Sequence, residues 1–432
     1  MKRSSAMLLL GACILMSTAT LEGQTRSSTT AVDELVRAAF ERNRDFLATR
    51  QRLTEAQGLL RQAGVRLAPT LEINTTTGRP LGTHGEEQYD AGYFQPIETA
   101  GKRDKRIAVA EKTVALAQAE VDERARQLKF EVTKGYFDAL AARRKQETIR
   151  RLLTVNRESY RITNVRVEQG DAAPLERQLL ATEMARVEAQ EATFAGRSEA
   201  AIVDLRRTVG LPPADVITVA ADFTLPAEDR SLGQWQQLAI AQRADLRAAR
   251  LSEEQAQAEV TLTRAQGVPD ITASARYAHR NSLFDDQFAL SPAGTPIHLR
   301  DRDNVITFGV AVPLFTGRRN QGNVEASAAR QNAARLRREF LESSIPAEVE
   351  AAYRRVAAAR RALDLFQRGV VAQSERNLTV IREAYTLGQL RVLDVLNEQR
   401  RLIDTELAYI DAQTDFAQAL AELERATGGN LP

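Results

Sequence analysis

The sequence lacks most of what an enzyme needs. Its 432 residues include one cysteine, three histidines and only 5% aromatic residues. Because Cys13 stands alone, no disulfide and no multi-thiolate metal site can form within the chain. His84, His279 and His298 fall in predicted loops without metal-ligand spacing, and there is no glycine-rich phosphate loop and no nucleophile elbow. The sequence therefore predicts neither an enzyme nor a bound cofactor or metal.

An excess of charge of one sign is also missing. Lys and Arg total 59 against 57 Asp and Glu, and the two signs are interspersed. This pattern is typical of solvated helix faces and predicts no nucleic-acid partner. After residue 24 no segment has the roughly 20 uninterrupted apolar residues of a transmembrane helix. We therefore expect any membrane-spanning part to be a closed β-barrel, since an open sheet edge would leave unpaired backbone groups in lipid.

The N-terminus has the pattern of an export signal at residues 1–24. Lys2 and Arg3 precede an apolar run from Ala6 to Met16, and small residues allow cleavage after Ala19. The mature chain is therefore expected to leave the cytoplasm. "LGAC" at 10–13 also resembles a lipobox, and in that alternative Cys13 becomes an acylated N-terminus.

The rest of the chain is a duplicated unit. "QPIETAGKR" at 95–103 returns as "VPLFTGRRNQG" at 312–322. Gly170 matches Gly388 and Gly210 matches Gly428, both pairs 218 residues apart. These landmarks predict a first repeat at 25–211, a proline-containing linker at 212–233 and a second repeat at 234–432.

Each repeat is predicted to contain a helix, two strands, a very long helix, a turn and a shorter helix. Period-two alternation predicts strands at about 68–79, 88–97, 269–280 and 303–314, with a long polar loop between Arg280 and Arg302. The long helices are expected at about 100–168 and 318–387, the second kinked at Pro346. The junctions from strand to helix are marked by Pro96, Gly101, Pro313 and Gly317. Four strands cannot close a barrel, so we expect an oligomer.

The paired junctions, the two glycine-centred turns and "LGQLRVLDVLNEQ" at 387–399 resemble the TolC-like outer-membrane efflux protein family, also called outer membrane factors, over essentially the whole mature chain. The resemblance implies a mainly α fold with a membrane β-barrel part. It implies a homotrimer whose twelve-stranded barrel lies in outer-membrane lipid and continues as an α-helical tunnel in the periplasm. The implied partners are a periplasmic adaptor (membrane fusion protein) and an inner-membrane pump of the resistance-nodulation-division type. "PIETAGKR" further resembles the cobalt-zinc-cadmium branch, which implies heavy-metal cations as cargo.

The resemblance also implies a periplasmic gate. Asp394 matches the first of two family aspartates that form rings at the constriction, and Asn397 replaces the second. An acidic ring would attract cations; the alternative is that Asp394 only caps or pairs within its hairpin. Tyr385 and Glu176 match a polar link between the two hairpins. The family's arginine place holds Leu390, and a bond from the neighbouring Arg391 to Glu176 is left open.

The same resemblance places adaptor docking at the helical tips, at Gly170, Asp171, Leu387, Gly388 and Gln389. Two alternatives remain open from the residues. The fold could be an outlet for drugs or secreted proteins, because the pump largely selects the cargo. Long helices alone would also suit a soluble periplasmic coiled-coil structural or adaptor protein.

Overall fold

A computed structural model describes residues 29–30, 32–81, 86–219, 230–314 and 320–429. The predicted export signal, Cys13, His84 and Gly317 lie outside these described residues. The duplication is visible in the order of the elements, since the long helices of both halves follow a pair of antiparallel strands.

The first half contains one helix that is far longer than a globular domain requires. Its elements are β1 (Thr29–Thr30), α1 (Val32–Arg42), α2 (Arg44–Ala63), β2 (Thr70–Thr77), β3 (Glu87–Ile97), α3 (Lys102–Glu168), α4 (Pro174–Val209) and β4 (Thr218–Val219). The 67 residues of α3 give a rod of about 100 Å. No proline occurs in α3, while Pro174 occupies the first turn of α4, where a missing N–H costs no hydrogen bond.

The second half repeats this order with an interrupted rod. Its elements are α5 (Leu232–Gln242), α6 (Ala244–Gln266), β5 (Ile271–Leu290), β6 (Pro296–Ala311), α7 (Gln321–Leu365), a π-helical turn (Phe366–Val370), α8 (Val371–Thr386) and α9 (Val392–Thr427). Helix α7 continues through Pro346, where we expected a kink. The chain leaves helical dihedral angles at Gly369 instead, whose φ is 118°. Glycine adopts such an angle without the steric cost of a Cβ.

The predicted loop between Arg280 and Arg302 is wrong. Strand β5 continues to Leu290 and β6 begins at Pro296, so only a turn around Gly294 (φ 82°) separates them. His298 consequently lies in β6, and His279 lies in β5. The polar composition suggested a loop, but a two-stranded ribbon that packs neither face against a protein core needs no apolar alternation.

The four strands form one antiparallel sheet in the order β2-β3-β5-β6. Cross-strand pairing places on one face the exposed apolar and aromatic side chains Leu71, Ile73, Tyr89, Tyr93, Tyr277, Ile306, Phe308 and Val310. The other face carries a polar network in which Arg276 contacts Glu72 and Asp90, while Asn74 also donates to Asp90. We call these the apolar face and the polar face of the sheet.

The helical core packs around two equivalent joints. The largest buried cluster joins α1, α3 and the end of α4, and a second joins α5, α7 and the end of α9. At the first joint Asn43 Nδ2 donates to the carbonyl of Thr208 at 2.8 Å; at the second, Arg243 Nη1 donates to the carbonyl of Ala426 at 3.3 Å. None of the described helices is both long and apolar enough to cross a membrane.

Candidate functional site

Both helical hairpins end in the same turn. Gly170 (φ 83°) and Gly388 (φ 75°) occupy the left-handed position that closes α3 and α8. The N–H of Asp171 donates to the carbonyl of Arg166 at 2.8 Å, and that of Gln389 donates to Ala384 at 2.9 Å. These bonds satisfy carbonyls that the helices would otherwise leave unpaired, so the two tips are stable chain reversals.

The two tips are held together by a small apolar cluster, which we call the tip cluster. Leu180 of α4 and Val392 and Leu396 of α9 are buried in it. Tyr160, Leu179 and Tyr385 pack against these three side chains. Since the cluster draws residues from both hairpins, separating the tips would expose apolar surface to water.

The predicted polar partners Tyr385 and Glu176 lie in contact. The Tyr385 hydroxyl donates to Glu176 Oε2 at 3.0 Å, across the two hairpins. Partial burial, together with the hydrogen bond and negative charge of Glu176, raises the pKa of Tyr385 above its ordinary value. The phenol therefore keeps its proton, and donates this hydrogen bond, throughout the physiological pH range.

The cation beside this bond is one that the sequence analysis missed. Arg166, in the last turn of α3, interacts with the Tyr385 hydroxyl and partly opposes the rise of its pKa. Arg166 also approaches the Asp171 carbonyl at 3.5 Å. A basic side chain in the last turn of a helix is favoured by the helix dipole, and that preference was the available signal.

Asp394 caps the N-terminus of its own helix, α9, in this structure. One carboxylate oxygen accepts the Arg391 N–H at 3.0 Å, and the Asp394 N–H donates to the Arg391 carbonyl at 3.0 Å. This arrangement is the capping alternative considered for Asp394. The Arg391 side chain makes no bond to Glu176 within the described residues, so that contact is absent here. Asn397 is exposed one turn further along α9.

A buried carboxylate provides a further link between the hairpins, which the sequence analysis also missed. Glu183 of α4 is 4% exposed and is held by Arg186 of its own helix and by Arg400 of α9. Burial alone would raise the pKa of Glu183, but these two guanidinium groups outweigh burial and hold it below its ordinary value. The spacing of Glu183 and Arg186 predicts the pair within α4, whereas the bond to Arg400 depends on packing.

The junction between sheet and rod is built around one carboxylate. Asp270 Oδ1 accepts the Thr99 N–H at 2.9 Å and contacts Lys102 Nζ at 2.7 Å. Strand β3 ends one residue after Pro96, and Gly101 (φ 63°) directs the chain into α3. In the second half β6 ends at Ala311, before the exposed Pro313.

Metal ligands are not grouped anywhere in the part of the chain that the structure describes. No set of three or more His, Cys, Asp or Glu side chains is placed to hold an ion there. The site at the tips is instead a set of contacts between helices: the hydrogen bond from Tyr385 to Glu176, the ion pair of Glu183 with Arg400 and the tip cluster. Such an arrangement can hold two hairpins together or release them.

Comparison with known families gives a consistent result. The sequence model of the family described as outer membrane efflux protein matches residues 35–211 and 235–429. The outer membrane efflux protein BepC of Brucella suis is 23% identical, with 97% of this chain and 90% of BepC aligned. The cobalt-zinc-cadmium resistance protein CzcC of Cupriavidus metallidurans is 24% identical, with 89% and 87% aligned.

Solved structures share the fold at lower identity. The outer-membrane channel CmeC of Campylobacter jejuni superimposes with a TM-score of 0.75 at 15% identity, covering 99% of this chain and 94% of CmeC. CusC, whose structures concern folding and transmembrane channel formation, gives a TM-score of 0.71 at 18% identity and covers 92% of both chains. The expected fold, long helices combined with a four-stranded sheet, is thereby confirmed.

Proposed function

The chain belongs to the outer membrane efflux protein family, and we propose that it is the exit duct of a tripartite system that expels heavy-metal cations. It is an outer-membrane channel protein and not an enzyme. In the proposed system the duct is passive, and an inner-membrane pump supplies the energy through a periplasmic adaptor.

One observation carries the proposal: a sheet with an exposed apolar face stands at one end of hairpins whose longest helix has 67 residues. Lipid would cover the apolar face, and the rods would lead away from it. The four-stranded sheet has two free edges, β2 and β6. Three copies would pair these edges and close a ring of twelve strands, an even number within the range of outer-membrane barrels.

We propose that the tip contacts form the closed periplasmic gate. The hydrogen bond from Tyr385 to Glu176 and the ion pair from Arg400 to Glu183 both join one hairpin to the other. Opening the entrance would separate these partners. In the proposed trimer Asp394 and Asn397 would lie three residues apart on the face of α9 that lines the constriction, where the carboxylate would favour cations.

The tips are also the proposed adaptor-docking surface. Gly170, Asp171, Gly388 and Gln389 are exposed, and Leu387 is exposed over 73% of its surface. A large apolar side chain this exposed at the end of a rod suits burial by a partner. Helical hairpins of an adaptor could pack against it without disturbing either turn.

The proposed cargo, heavy-metal cations, rests on one named relative and one sequence motif. CzcC is named for cobalt, zinc and cadmium resistance, and the junction motif "PIETAGKR" points to the same branch. Other relatives are named for other exports, including the proteases secretion protein PrtF and the pyoverdine export protein OpmQ. Within the motif, Glu98 pairs with Arg106, so this acid is occupied in structure rather than free for a cation.

Gene deletion with complementation tests the proposal. The deletion strain is challenged with cobalt, zinc, cadmium, nickel and copper salts beside a panel of drugs and detergents. Sensitivity confined to the cations, and reversed by the wild-type gene, is the expected result. Sensitivity mainly to drugs would retain the duct and overturn the cargo, and a purified chain that forms no channels in planar bilayers would overturn the duct itself.

A further inference from the structure

We propose that Arg300 and Arg302 form a contact surface for the phosphate groups of an anionic lipid in the outer leaflet of the membrane. The two arginines lie on β6 at the end of the sheet that is distant from the long helices, Arg302 in the last four-stranded row and Arg300 beyond it. The inference rests on the proposed orientation, in which the helices lead into the periplasm and the opposite end of the sheet faces outwards.

The alternation of β6 sorts the charges of "LRDRDN", residues 299–304, onto two faces. Ile306, Phe308 and Val310 lie on the apolar face, and in a pleated strand every second residue continues it. Asn304, Arg302 and Arg300 therefore extend the apolar face, whereas Asp301 and Asp303 extend the polar face. The cations stand on the lipid side and the carboxylates on the opposite side.

The depth of the two arginines fits the headgroup region. A tilted strand crosses the hydrocarbon layer in about 9–11 residues. Counted outwards from the exposed Val312, beside the rods, such a crossing ends near Arg302. Tyr89 lies opposite His279, in the row of Asn304 and, on the same face, next to that of Arg302, and amphipathic rings of this kind collect at the interface.

The surface retains a positive charge when the neighbours whose side chains the structure describes are counted. Arg300 is paired across the ribbon with Leu283, and Arg302 with Asn281. The next strand contributes Glu87 to the same row, but Arg79 neutralises it at 2.5 Å. Arg300 and Arg302 are exposed and have no ion pair among the described residues. Phosphate oxygens are the acceptors that paired guanidinium groups recognise best.

A titration followed by native mass spectrometry tests the inference on the full-length purified protein. The probe is bis-phosphorylated lipid A, added in a buffer free of divalent cations, and the measurement is the dissociation constant per bound lipid. The double variant Arg300→Gln/Arg302→Gln is expected to bind about 30-fold more weakly, because each arginine near an anionic surface contributes substantially to attraction. Arg302→Gln alone is expected to lose about fivefold.

Arg280→Gln is the matched control. Arg280 is paired with Asp303 on the polar side of the same ribbon, so this variant removes one positive charge at similar height. We expect its affinity to stay within twofold of the wild type, and lipid A without phosphates to bind all variants equally weakly. Equal losses in Arg280→Gln and Arg302→Gln would overturn the inference, as would an unchanged affinity in the double variant.

Channel conductance separates this inference from the proposed duct. The double variant is expected to form channels with the wild-type conductance in planar bilayers, since both arginines face away from the lumen. Normal channels combined with normal lipid A binding would refute only the lipid contact. Absence of channels in the wild-type protein would refute the duct and leave the lipid measurement to be judged by its own result.

Discussion

Two carboxylates at equivalent positions of the duplication accept hydrogen bonds from different partners. Glu176 and Asp394 are both the third residue of the helix that follows a tip turn, 218 residues apart. Glu176 crosses to the other hairpin and accepts from Tyr385, whereas Asp394 folds back onto the N–H of Arg391. The position equivalent to Tyr385 in the first repeat is Val167, which has no hydroxyl to offer Asp394.

The difference shows that one substitution can make a duplicated site asymmetric. With a tyrosine at one tip and a valine at the other, each chain has one hydrogen bond of this kind between its hairpins instead of two. The second rod is also interrupted at Gly369, while α3 is continuous. The long helix of the first hairpin is therefore uninterrupted, whereas that of the second is broken.

The two joints at the opposite end of the helices also differ from each other, and the difference involves more charged groups. Asn43 and Arg243 cap the same kind of carbonyl, but Arg243 is 4% exposed and requires the carboxylates of Asp245 and Glu348. A neutral amide fills the first joint: Asn43 also caps α2, its Oδ1 accepting the Phe46 N–H at 2.9 Å, and it involves no charged partner there among the described residues. The second joint has a three-membered charged network, which should make it far less tolerant of truncation.

Truncating the two joint residues should give the largest difference. Arg243→Ala leaves Asp245 and Glu348 without their cation and should lower the free energy of unfolding by about 4 kcal/mol. Asn43→Ala removes an N-cap and should cost about 1 kcal/mol. Denaturant titration of the detergent-solubilised protein measures both, and equal losses would contradict the asymmetry.

Alanine substitution of the four glycines with left-handed dihedral angles should separate the joints from the tips. Gly210, Gly428, Gly170 and Gly388 have φ between 72° and 83°, so a Cβ strains all four alike. At the joints it would also meet backbone, 2.7 Å from the Arg42 oxygen or 2.9 Å from Arg243 Cα, while the tips are open. We expect about 3 kcal/mol lost at each joint and about 1 kcal/mol at each tip. Equal costs at all four would show that the joints relax.

The ion pair between Glu183 and Arg400 should make the free energy of unfolding depend on pH. Arg400→Met removes the partner that Glu183 finds on α9 and should cost about 2 kcal/mol at pH 7. Since the pKa of Glu183 is lowered by folding, its contribution is complete above its unfolded pKa of about 4.3 and disappears as the pH falls through the lowered value. The stability difference between wild type and Glu183→Gln should therefore shrink below about pH 4. A difference that stays constant down to pH 3 would contradict this role.

The sequence predicted what depends on repeated local patterns. Glycine turns, proline boundaries and alternation located the rods and the tips, whereas the contact between Tyr385 and Glu176 was implied only by the family resemblance. Prediction from the sequence failed where neighbours in space decide the outcome. The long β5–β6 ribbon looked like a loop because its residues are polar, the break at Gly369 has no strong local signal, and the partnership of Glu183 with Arg400 exists only once two distant helices pack.

The smallest expected effect concerns the bond that gives the tips their asymmetry. Tyr385→Phe keeps the ring in the tip cluster and removes only the hydroxyl that donates to Glu176 at 3.0 Å. A partly exposed hydrogen bond contributes about 1 kcal/mol, so the ratio of open to closed channels in planar bilayers should rise about fivefold for each bond lost. Tyr160→Phe is the matched control, because Tyr160 packs in the same cluster and its hydroxyl has no hydrogen-bond partner among the described residues. An unchanged ratio in Tyr385→Phe, or an equal rise in both variants, would mean that apolar packing alone holds the two tips together.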